Sequence, residues 1–340
     1  MGEGEEAVER VLLHGPVAEP IYTRMAPRFP FRTGNLRFEP DDGGAGDWLV
    51  LGLANKVPIS TRVPRERRIL VVGEPSGMSP LAADYLAQFG TLVSPFLPEG
   101  YRGRWIQDHA GLAWFYGAAF EHGELRPRLN HAELSALPVP EKGDAVSVVI
   151  SNKVLFPGHR RRLAFVEALK ARLGDRLTIF GRGFREIGDK ADAIAPYKLH
   201  LSLENSQEPS YWTEKLADAF LGWALPLYAG CPDIHRWFPE CSLVPLDIGD
   251  PTSAAAMIEK LLEENAWQER LPAIEDARRI VLTRENFFNV VERAIGVARE
   301  HVPPPRDTKD IIVPMALPRI AKLKREAMRV YYKMTTRARS

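Results

Sequence analysis

The feature that most constrains the fold is a succession of strand, polar loop, helix and second strand between residues 197 and 234. Leu199, Leu201 and Leu203 alternate with polar residues, which is the two-residue period of a strand. A helical spacing of apolar residues follows the loop, Pro226 ends it, and PLYAG forms a second strand pattern. In open α/β sheets, ligands bind at the carboxyl ends of the strands. The loop after the first strand is therefore a candidate binding site.

Four polar side chains of this loop and of the helix start suit an anionic ligand. The N-terminus of a helix favours an anion, and Lys215 adds a positive charge in the first turn. Glu214 can accept hydrogen bonds from ribose hydroxyls, Tyr211 can stack or donate, and Asn205 can donate and accept. The alternative is a capped helix whose Glu and Lys side chains are solvated, and the chemistry alone leaves both interpretations open.

A second strand, loop and helix pattern lies between residues 146 and 173, and three adjacent arginines, residues 160 to 162, open its helix. The planar fork of an arginine can bind two phosphate oxygens at once, which suits a diphosphate. The alternative is a solvated basic face, and three adjacent arginines cannot all point one way. We expect at most part of this cluster to reach a ligand.

A third candidate follows the apolar strand pattern of residues 69 to 72, where the sequence continues as Gly73, Glu74 and Pro75. A carboxylate at the end of a strand, in a loop bounded by glycine and proline, is a candidate general base. Glu74 is therefore the candidate general base, with an ordinary loop acid as the alternative.

Strand and helix patterns alternate on both sides of residues 135–146, which contain two prolines and a glycine and are interpreted as a linker. Alternation of this kind predicts an α/β fold with parallel sheets covered on both faces. We predict an N-terminal domain over residues 1–140, a C-terminal domain over 141–300, and a linker with a tail over 301–340.

Composition excludes several classes of protein. A chain of 340 residues with 45% hydrophobic and 26% charged residues is typical of a soluble globular protein, and a net charge of +1 provides no field that attracts nucleic acid. Cys231 and Cys241 cannot form a disulfide framework and have no partners at zinc spacing. The acidic start and the lack of a long apolar run predict neither a secretory signal nor a membrane span, which favours a cytoplasmic location.

The last segment, residues 319–340, has eight Lys and Arg against one acid, with apolar and aromatic residues between them. A basic amphipathic helix of this kind can lie on an anionic membrane surface. The alternatives are a helix packed on the body of the protein and a disordered tail. The sequence leaves the three open.

The run ENSQEPSYWTEK, residues 204 to 215, resembles the donor-binding signature of the family 10 glycosyltransferases, the bacterial-type α-1,3/4-fucosyltransferases. The resemblance implies that Asn205, Tyr211, Glu214 and Lys215 bind the donor, GDP-fucose. Trp212 stands where the family often has valine, which is a minor departure because that residue is not a polar contact.

The resemblance extends to the two upstream patterns. It assigns the diphosphate to Arg162, with Arg161 as the second choice, and the role of general base to Glu74. It implies the GT-B fold, in which two Rossmann-like domains with parallel sheets face each other across a cleft. The N-terminal domain would then take the acceptor and the C-terminal domain the nucleotide sugar.

The function implied is an inverting transfer of fucose from GDP-fucose to a hydroxyl of a glycan acceptor, in bacterial surface polysaccharide synthesis or protein glycosylation. No D-x-D tripeptide occurs in the chain, so no metal cofactor is indicated. The expected partners are the GDP-sugar, the acceptor and, through residues 319–340, the inner face of the cell membrane. Two alternatives remain: the same scaffold with another nucleotide sugar, and a non-catalytic glycan- or nucleotide-binding protein.

Overall fold

The computed structural model describes residues 7–52, 54–76, 78, 81–121, 124–152, 157–304 and 309–315. The segment 319–340, for which membrane contact is predicted, lies outside the described residues. Within the described part, the chain divides into two compact units, which are discontinuous in sequence. The first unit comprises residues up to 114, 126–135 and 282–315, and the second comprises 115–125 and 136–281.

The strands are β1 (Glu9–His14), β2 (Phe31–Thr33), β3 (Leu36–Pro40), β4 (Trp48–Leu51), β5 (Ile59–Thr61), β6 (Arg68–Val71), β7 (Thr91–Ser94), β8 (Arg104–Gln107), β9 (Ala118–Glu121), β10 (Glu124–Pro127), β11 (Gly143–Val149), β12 (Leu177–Phe180), β13 (Tyr197–Leu203), β14 (Leu225–Ala229), β15 (Val244–Pro245) and β16 (Asp310–Ile312). The α-helices are α1 (Pro20–Thr23), α2 (Ala83–Leu86), α3 (His131–Ala136), α4 (Pro157–Leu173), α5 (Ala191–Ile194), α6 (Glu214–Leu221), α7 (Pro251–Glu263), α8 (Ala266–Thr283) and α9 (Phe287–Arg299).

The first unit is built on a seven-stranded sheet of order β2-β3-β1-β4-β6-β7-β8. Its neighbouring strands are parallel except for β2, which is antiparallel to β3. Every residue of β4, β6 and β7 is buried, as expected for central strands of a sheet covered on both faces. The short strand β16 pairs antiparallel with β5 in a separate two-stranded sheet.

The second unit is built on a five-stranded, all-parallel sheet of order β12-β11-β13-β14-β15. Val148 of β11 lies beside Leu201 of β13, so the loops that follow these two strands leave the sheet at the same edge. This edge is where parallel sheets bind ligands. The predicted α/β class, with a mainly parallel sheet in each half of the chain, is therefore confirmed.

The residue ranges of the two units differ from the predicted domains, which were separated by one boundary near residue 140. Residues 282–300 belong to the first unit, although the prediction grouped them with the C-terminal domain. Aromatic packing explains the difference: Phe288 of α9 contacts Phe31 and Phe38 with ring centroids 5.2 and 5.3 Å apart, and Phe287 contacts Tyr22 at 5.2 Å. The apolar face of α9 is thus covered by the first unit.

Three further features complete the description of the fold. Asn265 separates α7 from α8 and adopts a φ of 50°, a left-handed conformation that asparagine tolerates. Both cysteines are free, with Cys231 buried and Cys241 exposed. Within the described ranges, no helix is long and apolar enough to cross a bilayer.

Candidate functional site

The predicted strand, loop and helix between residues 197 and 221 are confirmed. Hydrogen bonds join the start of the loop to the start of the helix. Helix α6 begins after Thr213, whose Oγ1 accepts a hydrogen bond from the Lys215 amide at 3.3 Å. Glu204, the first residue after β13, accepts a hydrogen bond from the Thr213 amide at 2.8 Å. Its two carboxylate oxygens also lie 3.0 and 2.8 Å from Thr213 Oγ1. A buried carboxylate therefore sits at the positive end of the α6 dipole.

Lys215 lies in the first turn of α6, where three oxygens surround its ammonium group. Its Nζ is 3.0 Å from Thr213 Oγ1, 3.3 Å from Glu214 Oε1 and 3.4 Å from Glu204 Oε2. Burial favours the neutral form of Lys215, but Glu214 and Glu204 outweigh it, so the pKa of Lys215 is raised. Lys215 is thus held as a cation on the surface of the network, with its side chain 24% exposed.

Glu214 is part of the same network. Its Oε1 lies 3.7 Å from the Nζ of Lys190, in addition to its contact with Lys215. Burial opposes ionisation of Glu214, but Lys215 and Lys190 outweigh it and lower the pKa of Glu214 to about 2. The helix is capped, as the alternative interpretation of this motif requires. The solvated side chains of that interpretation are not found, because the Glu214 side chain is only 13% exposed.

The three arginines at the start of α4 differ in how far they are buried. Arg160 and Arg161 are exposed, whereas Arg162 is half-buried and donates from Nη1 to the carbonyl oxygen of Leu203 at 2.9 Å. Its buried Nε has no hydrogen-bond partner among the described residues. Burial lowers the pKa of Arg162, against the opposite effect of Glu204, Tyr211 and Glu214. Arg162 therefore contacts the end of β13 and keeps its Nε–H without a partner among the described residues. Arg161 is exposed instead.

The other two predicted residues flank this network. Asn205 follows Glu204 and is half-buried, and Tyr211 is 3% exposed. The first turn of α4 approaches this loop closely at Gly158, where a Cβ atom would lie 2.4 Å from the carbonyl oxygen of Asn205. Glycine at position 158 thus allows α4 to bring Arg162 to the end of β13. The structure gathers Arg162, Asn205, Tyr211, Glu214 and Lys215 at one edge of the sheet.

Sequence reasoning missed three members of the network: Glu204, Lys190 and Asp218. Asp218 is fully buried on α6, where Oδ1 accepts hydrogen bonds from the amides of Phe115 and Tyr116 at 2.8 and 2.9 Å. Its Oδ2 lies 2.7 Å from Lys190 Nζ. An aspartate within the buried run of α6, one turn after Glu214, was a signal that could have been used. Lys190 carries no such signal, because it comes from the segment before α5.

Glu74 belongs to the first unit and differs from these residues. It follows β6 in a bend and is exposed, next to the half-buried Gly73. A Cβ atom at Gly73 would lie 2.6 Å from the side chain of Leu112, so the backbone before Glu74 is closely packed. The position at a strand end is as predicted, and the role of general base stays a prediction. Among the described residues, no group of three or more His, Cys, Asp or Glu side chains could hold a metal ion.

A solved crystal structure of an α1,3-fucosyltransferase resembles this chain over 89% of its length and 93% of the other chain, with a TM-score of 0.50 and 17% sequence identity. At that identity the likeness shows the fold alone, and the GT-B fold predicted from the sequence is confirmed. Residues 139–270 match the family described as glycosyltransferase family 10 (fucosyltransferase), C-terminal part. The match covers less than half of the chain and includes the charged residues of the network around Glu204.

Two curated relatives illustrate the match. The 4-galactosyl-N-acetylglucosaminide 3-alpha-L-fucosyltransferase FUT6 of Homo sapiens is 26% identical over 163 residues, which are 44% of each protein. The GDP-fucose protein O-fucosyltransferase 3 of Danio rerio is 33% identical over 106 residues, 31% of this chain and 23% of that protein. The chain thus spans less than half the length of the curated relatives it matches.

Proposed function

We propose that this protein transfers fucose from GDP-fucose to a hydroxyl group of a glycan acceptor. One observation carries the proposal: within the segment that matches family 10, the structure brings Arg162, Glu214 and Lys215 together at the carboxyl ends of β11 and β13. Two cations with hydrogen-bond donors at the edge of a parallel sheet suit a nucleoside diphosphate. The names of the relatives supply fucose as the sugar.

In the proposed reaction, the acceptor oxygen forms a bond to C1 of fucose while the bond from C1 to the diphosphate oxygen breaks, with inversion at C1. The acceptor proton passes to Glu74 as general base. The leaving GDP gains negative charge, which Arg162 and Lys215 neutralise. Positioning and electrostatic stabilisation by these residues then account for catalysis.

The finer parts of the proposal concern the setting of the reaction. We propose an acceptor in bacterial surface polysaccharide synthesis and a cytoplasmic protein that is peripheral to the inner face of the membrane. The basic residues of segment 319–340 support the membrane contact, since each Lys or Arg near an anionic surface contributes about 1 kcal/mol.

The test has two parts, donor binding and transfer. GDP and GDP-fucose should stabilise the folded protein by about 2.7 kcal/mol at 100 times the dissociation constant, and UDP-sugars should not, in a thermal-shift series. Transfer to a 4-galactosyl-N-acetylglucosaminide, the acceptor in the name of the human relative, gives the activity readout. Equal stabilisation by UDP-sugars would contradict the choice of guanine nucleotide.

A matched pair of variants tests the site itself. Arg162→Ala and Lys215→Ala should each weaken GDP binding about ten- to a hundredfold, because a hydrogen bond to a charged group contributes roughly 1.5–3 kcal/mol. Arg161→Ala is the control, since it removes the same charge from the neighbouring, exposed position. Calorimetric titration with GDP measures all three. A loss in Arg161→Ala with none in Arg162→Ala would transfer the role to Arg161.

A further inference from the structure

Glu204 is a fully enclosed acid of the site, and sequence reasoning did not select it. Its side chain has no exposed surface. Its backbone amide donates to the carbonyl oxygen of Ala229 at the end of β14, at 2.8 Å. The carboxylate contacts the amide and hydroxyl of Thr213 and the ammonium group of Lys215. Glu204 therefore joins the ends of two neighbouring strands to the first turn of α6.

The charge of Glu204 needs an explanation beyond packing. Burying a carboxylate is unfavourable, and burial raises the pKa of Glu204. A glutamine has nearly the same shape and could accept the hydrogen bond from the Thr213 amide. It could not form the ion pair with Lys215, because an amide carries no charge. The ion pair with Lys215 is the contact that specifically requires a carboxylate.

We propose that Glu204 is a positioning residue of the donor site, which holds the ammonium group of Lys215 in place and keeps it charged. The inference rests on the proposed function, in which Lys215 binds the donor diphosphate. Glu204 acts through Lys215 and Thr213 and does not touch the donor in this proposal.

The charges around Glu204 determine how the proposal appears in a pH profile. Lys215 and Thr213 face it from α6 and its cap, Glu214 acts on it from the same turn, Arg162 from α4, and Tyr228 from β14. Glu204 and Glu214 both favour the protonated form of Lys215, and Arg162 opposes them. Removing the Glu204 charge leaves one carboxylate to balance burial and Arg162. Lys215 should then lose its proton at a lower pH.

The experiment compares Glu204→Gln with the parent protein in GDP affinity and in the KM for GDP-fucose, across the alkaline range. We expect the affinity to fall about tenfold at neutral pH, because a displaced Lys215 loses most of its charged contact with the diphosphate, and we expect the alkaline decline to begin at a lower pH. Glu167→Gln is the matched control, because it removes an exposed acid from α4 in the same unit. Its affinity and its pH profile should equal those of the parent.

A purely structural role for Glu204 predicts a different result. Affinity would then fall by the same factor at every pH, with the alkaline limb unmoved, and the proposal would be overturned. If Glu204→Gln does not fold, Glu204→Asp replaces it. Aspartate keeps the negative charge, but its side chain is one methylene shorter, so the carboxylate lies further from Lys215. This variant should raise KM and leave the alkaline limb where the parent has it, and a parental KM would overturn the proposal.

Nitrogen-15 NMR of lysine side chains in the GDP-free protein separates this inference from the proposed function. A lower Lys215 pKa in Glu204→Gln than in the parent supports the coupling without any donor, and an equal pKa overturns it. If the parent binds no GDP at any pH, the proposed function fails. The positioning role for a donor fails with it, and a shifted Lys215 titration would then describe a structural ion pair only.

Discussion

The loop after β13 and the loop after β6 place their acids in opposite physical environments. Glu204 and Glu214 are enclosed among cations and hydrogen-bond donors, whereas Glu74 is exposed in a bend of the other unit. Enclosed charges are stable only in the company of their partners, so their substitution affects folding and function together. An exposed acid can be replaced with little effect on folding, which makes its chemical role easier to isolate.

Charge balance accounts for the stability of the enclosed region. The network joins three cations to three carboxylates, namely Arg162, Lys190, Lys215, Glu204, Glu214 and Asp218. Each buried charge therefore has a counter-charge nearby, which a low-dielectric environment requires. The binding of a GDP diphosphate would add negative charge to a balanced group, and the unpartnered Nε of Arg162 offers one donor for it.

The largest loss of stability is expected on substitution of Asp218. It would show how strongly the enclosed charges depend on one another. Asp218→Ala leaves Lys190 without its closest partner and two backbone amides without acceptors. Removing one partner of a buried ion pair costs about 3–5 kcal/mol. Urea unfolding measures the loss, and the exposed Asp192→Ala on α5 is the control, expected within about 0.5 kcal/mol of the parent. A loss below about 1 kcal/mol at Asp218 would break the comparison.

A smaller effect, dependent on pH, is expected at Glu214. The pKa of Glu214 is lowered from 4.5 to about 2, despite its burial, by Lys215 and Lys190. A lowered pKa in the folded state stabilises the protein above the unfolded pKa, and this stability is lost as the pH falls through the folded pKa. The contribution is about 3 kcal/mol at neutral pH and decreases between about pH 5 and pH 2.

Glu214→Gln should therefore unfold more easily than the parent at pH 7, with a difference that shrinks on acidification. Chemical denaturation at a series of pH values measures it. Glu186→Gln, an exposed acid of the same unit, should follow the parent at every pH. A constant difference between Glu214→Gln and the parent would show that packing, and not charge, is responsible.

The two regions also differ in how far the sequence could predict them. Leu199, Leu201 and Leu203 determine β13 by local alternation, and Thr213 caps α6 as a local motif, so both were predictable. The contacts of Glu204 with Lys215 are also near in sequence, but the burial of Glu204 depends on β14 beside it. Periodicity within one strand does not report on the strand next to it.

Contacts between distant segments were beyond a single sequence. Lys142 lies in the stretch interpreted as a linker, yet its Nζ donates to the carbonyl oxygens of Ile194, Ala195, Tyr197 and Gly222 at 2.8 to 3.2 Å. These carbonyls come from the ends of α5 and α6 and from the start of β13, which only the folded chain brings together. The pairing of Lys190 with Asp218 has the same origin.

The smallest effect on stability is expected at Glu74, and this variant tests the exposed side of the comparison. Glu74→Gln should change the unfolding free energy by no more than about 0.5 kcal/mol, because the residue is exposed. If Glu74 is the general base, the same variant should lower turnover roughly 10²-fold, since a glutamine amide cannot take the proton from the acceptor hydroxyl. The affinity for GDP should not change, because the proposed base acts on the acceptor.

Steady-state transfer assays together with denaturation curves measure both quantities on one preparation. Glu99→Gln is the control, because it is an exposed acid of the same unit. It should match the parent in stability and in turnover. Parental turnover in Glu74→Gln would show that Glu74 is an ordinary loop acid and that the base lies elsewhere. A loss of several kcal/mol in stability would instead show that exposure is a poor guide to its importance, because Glu74 would then be as dependent on its neighbours as the enclosed acids of the other unit.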